Sequence, residues 1–308
     1  MEIIDCVYGK EIIIEDILID LINSKMVQRL KGINQLGLPP EWHYGVKFTR
    51  YEHSIGTLIL LRRFCVNLNE QIAGLLHDVS HAAFSHTYDY FLENEAEDHG
   101  DNIFFDFLKK DKEIVDIFNK HNIDINKFKN FELFALLDKE KPKLCADRID
   151  YTLREWYHFK DQKEARDLFS KLIVKNNNFY FKDKMSAKRF AEIYHLFSTT
   201  HWGGPEHITK YCIFADALKQ AVKIDLICLD DFWKNDKFIL DKLKVSNDKI
   251  IQDKLTQLKT KKFDIRNYKC KFRYVDPEYI DEHNNCVVLT TADKEYKEII
   301  EKRLKENR

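Results

Sequence analysis

Apolar residues recur along most of this chain at three- and four-residue intervals, the period of helices with one buried face. Residues 3–22 mix short apolar runs with the turn Tyr8-Gly9-Lys10, which predicts a short hairpin and then a helix. Ser24 is placed to cap a helix carrying Met26, Leu30 and Ile33, and Leu38-Pro39-Pro40 then breaks the chain. Residues 52–67 read as a helix with Ile55, Leu58 and Ile59 on one face. Over 70–80, Ile72, Leu75, Leu76 and Val79 fall at the i, i+3, i+4, i+7 positions of a core-facing stripe. Further helices are predicted over 101–110, 112–120, 130–138 and 144–157.

The period changes at 172–182. Two apolar triplets flank Asn176-Asn177-Asn178, the pattern of a hairpin with an asparagine turn. Helices resume over 186–198, 206–224, 230–244 and 247–260. Alternation at Phe263, Ile265, Cys270, Phe272 and Tyr274 predicts one or two strands within 262–275, and a last helix spans 292–307. The expected fold class is mostly α, with a small β-hairpin and a short α+β tail. Residues 1–228 are expected to form the core and 229–308 an extension, or the two to merge into one domain.

Composition narrows the function. Fifty Lys and Arg oppose fifty-one Asp and Glu, a net charge of −1, so the basic excess that binds bulk nucleic acid or anionic membrane is absent. Nine Gly and five Pro are few breakers for 308 residues, which agrees with helices. No apolar run approaches the roughly 20 residues that span a bilayer, and the N-terminus lacks a basic-then-apolar signal pattern. Seven widely spaced cysteines without CxxC read as reduced thiols of a cytoplasmic protein.

Five of the twelve histidines fall between positions 53 and 99: His53, His77, His81, His86 and His99. An apolar helix delivers the adjacent pair His77-Asp78 at its C-terminal end. Neighbours on a helix point about 100° apart, so both reach one ion only at a helix end or kink. An imidazole and a carboxylate suit Fe, Mn, Zn or Mg better than a thiolate site would. A lone His-Asp dipeptide is commonplace, and the signal lies in what accompanies it.

QRLKGINQLG at 28–37, TRYEHSIG at 49–56, LLHDVSHAAFSH at 75–86 and DRIDY at 147–151 together resemble the HD superfamily of metal-dependent phosphohydrolases. The closest likeness is to its deoxynucleoside triphosphate triphosphohydrolase branch, which includes bacterial dGTPases and the sterile-alpha-motif/HD dNTPase. The resemblance implies an HD-domain helical bundle. It also implies that His53, His77, Asp78 and Asp147 bind a divalent metal ion (Mn, Fe, Zn, Co, Ni or Mg). By the same likeness, His86 and Asp89 match a catalytic pair, His81 a phosphate-contacting histidine, and His99 a further catalytic position. Arg50 and Arg148 would meet phosphates, Tyr151 the sugar, Gln35 and Leu36 the deoxyribose, and Glu155 stands where an Asp near sugar or phosphate is usual.

Phe48 replaces a usual His, SHAA at 80–83 replaces Gly-His-Gly-Pro, and the HWGG segment at 201–204 departs from a tyrosine-rich pattern. These differences touch substrate shape more than metal binding. The expected activity is hydrolysis of deoxynucleoside triphosphates to nucleoside and triphosphate. Hydrolysis of a nucleoside monophosphate or signalling nucleotide, and silent nucleotide binding, are the alternatives. The expected partners are a nucleotide and, as in the family, further copies of the chain in a homodimer or larger assembly; no membrane or bulk nucleic acid is expected.

Overall fold

The computed structural model describes residues 1–266 and 272–306, and it opens with the expected hairpin. Strand β1 (Glu2–Asp5) pairs antiparallel with β2 (Gly9–Ile12), and helix α1 (Asp16–Asn23) follows. Ser24 caps α2 (Lys25–Arg29), its hydroxyl accepting from Val27 N. Thr49 then starts α3 (Arg50–Arg63) with a reciprocal cap: Thr49 Oγ1 accepts from Glu52 N, and Glu52 Oε2 from Thr49 N at 2.7 Å. The expected one-faced helix is in fact buried on nearly every side from His53 to Leu61. It is the central helix, packed by α4 (Leu68–Leu76) and α8 (Ala146–Phe159).

Between those lie α5 (His86–Phe91), α6 (His99–Lys110) and α7 (Lys112–Lys120). The helix expected over 130–138 does not form; only a 3₁₀ turn, Phe131–Leu133, is present. The Glu70 carboxylate takes the backbone N–H groups of Leu136 and Leu137 at 2.6 and 3.1 Å, so the i→i−4 bonds of a continuous helix are replaced by bonds to α4 and by isolated turns such as Leu137 N to the Phe134 carbonyl. The carbonyls of the same two residues accept from Ala146 and Asp147, which anchors the start of α8.

After α9 (Gln162–Ser170), the second hairpin appears as expected. Strands β3 (Leu172–Lys175) and β4 (Asn178–Phe181) are joined by Asn176 and Asn177, both at positive φ, as a two-residue hairpin turn requires. Helices α10 (Lys184–Thr200), α11 (Pro205–Lys223), α12 (Asp236–Val245) and α13 (Lys249–Thr260) follow. The strands expected within 262–275 are absent from its described residues, and Cys270 lies outside those. Arg266 N donates to the Thr209 hydroxyl on α11, so that N–H serves no ladder. The strands fall later, as β5 (Glu278–Ile280) and β6 (Cys286–Val288), before α14 (Leu289–Ala292) and α15 (Lys294–Glu306).

A four-stranded sheet in the order β3-β4-β5-β6 joins segments from both sides of residue 228. Val275, Tyr279, Leu289, Tyr296 and Ile300 pack into the same core as α3, α4 and α8. A second core lies among α5, α11, α12 and α13. The protein is thus mostly helical, and none of its described helices is long and apolar enough to cross a membrane.

Candidate metal centre and substrate cavity

Three helix ends converge on one point. His53 sits one turn into α3, His77 is the C-cap of α4, and Asp147 lies in the first turn of α8. Asp78 follows where the α4 backbone leaves the helix, which lets adjacent His77 and Asp78 face the same space. His53 Nε2 is 3.1 Å from His77 Nε2, 3.0 Å from Asp147 Oδ1 and 3.7 Å from Asp78 Oδ2. His77 Nε2 is 3.6 Å from both Asp78 Oδ1 and Asp147 Oδ1.

The opposite ring nitrogens are already committed. His53 Nδ1 donates to Asp150 Oδ2 at 2.7 Å, and His77 Nδ1 to the Gly74 carbonyl at 2.8 Å. Both Nε2 lone pairs therefore point at each other across 3.1 Å, which requires a cation or a proton between them. Divalent ions of the Zn class hold N and O donors at about 2.0–2.2 Å, so neighbouring donors on one ion lie roughly 3.0–3.5 Å apart. The spacing and chemistry of His53, His77, Asp147 and Asp78 fit such an ion.

Charges around the point agree. Burial opposes ionisation of Asp147, but bonding to His53 and His77 outweighs it and holds the carboxyl well below its usual range. Asp78 is likewise held low, by Arg50, His77 and His81 against the cost of burial. Burial also works against a charged His53, yet Asp147 and Asp150 raise it to about 9. In the metal-free protein a proton thus takes the place of the cation.

The centre opens into a cavity of about 390 Å³. Of the residues singled out by sequence, Gln35, Leu36, Arg50, His77, Asp78, His81, His86, Asp147, Arg148, Tyr151 and Glu155 line it. His53 lies behind, fully buried, and Asp89 lies behind His86. His86 Nδ1 is 3.3 Å from Asp89 Oδ2, and burial of Asp89 is outweighed by His86, so its carboxyl stays ionised. His81 Nε2 lies 3.3 Å from Asp78, but burial, reinforced by Arg50, pushes it down to about 4. His99 stands apart: its backbone N–H donates to Asp89 at 3.3 Å, while its ring packs on Tyr88.

The loop between α4 and α5 bends sharply, with Phe84 and Ser85 at φ 63° and 44°. Left-handed backbone at two non-glycine residues is a strained arrangement of the kind that collects at functional sites. Gly37 makes room for it, since a Cβ there would lie 2.7 Å from the Phe84 carbonyl.

Several expected substrate contacts are engaged within the protein. Arg50 donates to Asp78 Oδ2 at 2.7 Å and to Ser85 Oγ at 3.0 Å. Arg148 donates to the Lys143 carbonyl at 3.0 Å and to Asp138 at 3.3 Å. Tyr151 and Tyr194 share a hydroxyl hydrogen bond at 3.0 Å. Glu155 accepts from His201 Nδ1 and, at 2.6 Å, from Trp202 Nε1.

Sequence reading assigned nothing to Asp150, although it lies three residues after Asp147 and so shares its helix face. Nor did it give a role to Tyr211, Glu97 or Arg273, which line the cavity, or to Trp202 beyond the HWGG segment that holds it. His43, His201 and His207 gather beside Glu155 from distant segments, and no local spacing could have revealed that.

An HD domain matches residues 50–155. The chain is 37% identical over 287 residues to the uncharacterized protein YdhJ of Bacillus subtilis, covering 90% of this chain and 88% of that one. It is 35% identical over 215 residues to the metal-dependent phosphohydrolase cns2 of Cordyceps militaris, covering 67% of this chain and 62% of that one. A shorter match, 31% over 114 residues, is to the deoxynucleoside triphosphate triphosphohydrolase SAMHD1 of Bos taurus, covering 29% of this chain and 19% of that one. The crystal structure of a Bacteroides thetaiotaomicron phosphohydrolase superposes with a TM-score of 0.72 at 16% identity, covering 95% and 94% of the two chains, which shows a shared fold.

Proposed function

We propose that this chain, which belongs to the HD-domain superfamily of metal-dependent phosphohydrolases, hydrolyses deoxynucleoside triphosphates to nucleoside and triphosphate. The reading rests on one observation. His86, backed by Asp89, lines the same cavity as His77, Asp78 and Asp147, with His53 buried behind them. That is more equipment than metal binding needs, and the short match to SAMHD1 points the same way.

A divalent ion held by those four side chains supplies Lewis acidity toward a phosphate oxygen and makes nearby water a stronger acid. The protein's own groups do the rest. Asp89 accepts the Nδ1–H of His86 and leaves Nε2 facing the cavity. His86, as the imidazolium, gives its Nε2 proton to the nucleoside 5′ oxygen as its bond to phosphorus breaks, while water forms the new bond to phosphorus and passes its proton to solvent, from which His86 is protonated again. His81, kept neutral by burial, donates one hydrogen bond to a phosphate oxygen. Phe48, Tyr194, Trp202 and Tyr211 give the sugar and base apolar walls.

One observation favours a second reading, hydrolysis of a nucleoside monophosphate. Arg148 and Arg273 are already paired with Asp138 and Glu97, and Arg50 with Asp78. A triphosphate must draw these cations away from carboxylates, whereas a single phosphoryl group needs fewer of them. Incubating Mn²⁺-loaded protein with each dNTP and each nucleoside monophosphate, with anion-exchange analysis, decides between them. Nucleoside with tripolyphosphate is expected. Inorganic phosphate from monophosphates alone selects the second reading, and turnover of neither class overturns both.

A further inference from the structure

His43, Glu155 and His201 form a second cluster that the phosphohydrolase chemistry leaves unused. His43 lies on the loop after the 3₁₀ turn Pro40–Trp42, Glu155 on α8, and His201 is the C-cap of α10. Their exposures are 0%, 0% and 2%. One donor atom from each falls within 4.8 Å of the other two, and His43 Nε2 is 3.9 Å from Glu155 Oε1.

The hydrogen bonding around this cluster is incomplete. His43 Nδ1 and His207 Nδ1 share one hydrogen bond at 2.9 Å, and His43 Nε2 has no partner although it is fully buried. If His43 Nδ1 donates, Nε2 turns a lone pair toward a carboxylate oxygen with no proton between them. If Nδ1 accepts, the Nε2–H faces that oxygen from too far for a hydrogen bond. Either tautomer leaves a buried polar atom unsatisfied, which is costly. Glu155 Oε2 accepts from Trp202 Nε1, while Oε1 accepts from His201 Nδ1 and faces the unpartnered His43 Nε2.

We infer that His43 Nε2, Glu155 Oε1 and His201 Nδ1 bind a second divalent transition-metal ion of the Zn²⁺ class. The ion takes the His43 lone pair, and the Nδ1–H to His207 becomes the outer hydrogen bond that fixes the tautomer of a metal-binding histidine. Two imidazoles and one carboxylate select Zn²⁺, Co²⁺ or Ni²⁺ over Mg²⁺ or Ca²⁺, which prefer all-oxygen shells. Binding displaces the proton that His201 Nδ1 now shares with Glu155 Oε1 and draws those two atoms apart to the roughly 3.0–3.5 Å of neighbouring donors on one ion. Tyr44, stacked on the His201 ring at 4.0 Å, helps close the site to solvent. The ion ties the 39–46 loop to α8 and α10, and Glu155 and Trp202 carry that rigidity to the cavity wall.

The two centres share no ligand, so metal counting separates them. Full-length protein is loaded with Zn²⁺, desalted and analysed by elemental mass spectrometry. Asp147→Ala, which disables the first centre, is expected to keep one equivalent, and wild type one more. The triple variant Asp147→Ala/His43→Gln/His201→Gln is expected to hold none. An Asp147→Ala protein that is folded and zinc-free overturns the second site, whereas one holding as much zinc as wild type overturns the assignment of Asp147. Should the triple variant not fold, Co²⁺-loaded Asp147→Ala gives the answer by itself. Ligand-field bands of four- or five-coordinate cobalt are expected, and their absence sinks the site.

Discussion

His53 donates its Nδ1 proton to Asp150 at 2.7 Å, and Asp150 in turn receives a two-pronged hydrogen bond from Arg154 at 3.0 and 2.8 Å. Arg154 also reaches Asp5 at 2.9 Å, whose other oxygen accepts from Val7 N and Tyr8 N. A line of buried charges thus runs from the N-terminal hairpin to the ring that faces the metal centre. A carboxylate behind a metal-binding imidazole fixes its tautomer and raises its basicity.

Asp150→Asn keeps the size of the side chain but removes the charge that faces both His53 and Arg154. Metal affinity is expected to fall by about 10- to 100-fold, the usual cost of losing such an outer partner. Competitive titration against a chromophoric chelator measures it, and unchanged affinity would show that Asp150 serves folding alone.

Gly56 tests the same line from the opposite helix. A Cβ there would lie 1.9 Å from Arg154 Nη2 and 2.0 Å from Asp150 Oδ1, both held by their own ion pair. Gly56→Ala is expected to destabilise by about 1–3 kcal/mol through overpacking. Since the displaced groups stand behind His53, metal affinity is expected to fall with the melting temperature. A lower melting temperature with intact affinity would contradict the coupling.

The His86–Asp89 pair is testable by kinetics. His86→Ala is expected to keep its metal and lower kcat by about 10²–10⁴-fold, the range for a positioned acid or base. Asp89→Asn is expected to do less, and the double variant little more than His86→Ala, because groups acting as one unit are not additive. Metal content, melting temperature and kcat are measured on the same preparations. Near-normal kcat in folded His86→Ala would remove it from the chemistry.

Proton competition sets the pH dependence of metal binding. In the metal-free protein His53 is raised to about 9, against about 6.5 in an unfolded chain. A charged His53 therefore stabilises the metal-free fold fully below the unfolded value, and that stability is lost as pH rises through about 9. A metal ion entering near neutral pH must displace this proton, so affinity is expected to rise about tenfold per pH unit until His53 has titrated. Calorimetric Zn²⁺ titrations in two buffers of different ionisation enthalpy count the proton released; none near neutral pH is the opposing result.

The periodicity of apolar residues, the asparagine turn at 176–177, the Ser24 cap and the order of the four motifs were all legible in the chain. Each is a local property: a period, a turn or a cap is decided by residues a few positions apart, and a motif carries its spacing with it. His77-Asp78 at a helix end and His86 three residues before Asp89 were readable for the same reason. Residues 130–138 were misread because a side chain from α4, Glu70, takes the hydrogen bonds that a helix there would have made internally. The Asp5–Arg154–Asp150–His53 line and the His43–Glu155–His201 cluster were invisible, since their members come from segments far apart in the chain. Only the packing of α3, α8, α10 and the loops between them brings those side chains into one low-dielectric interior. There each buried polar atom must find a partner, and that demand, absent from any short stretch of sequence, decides which residues work together.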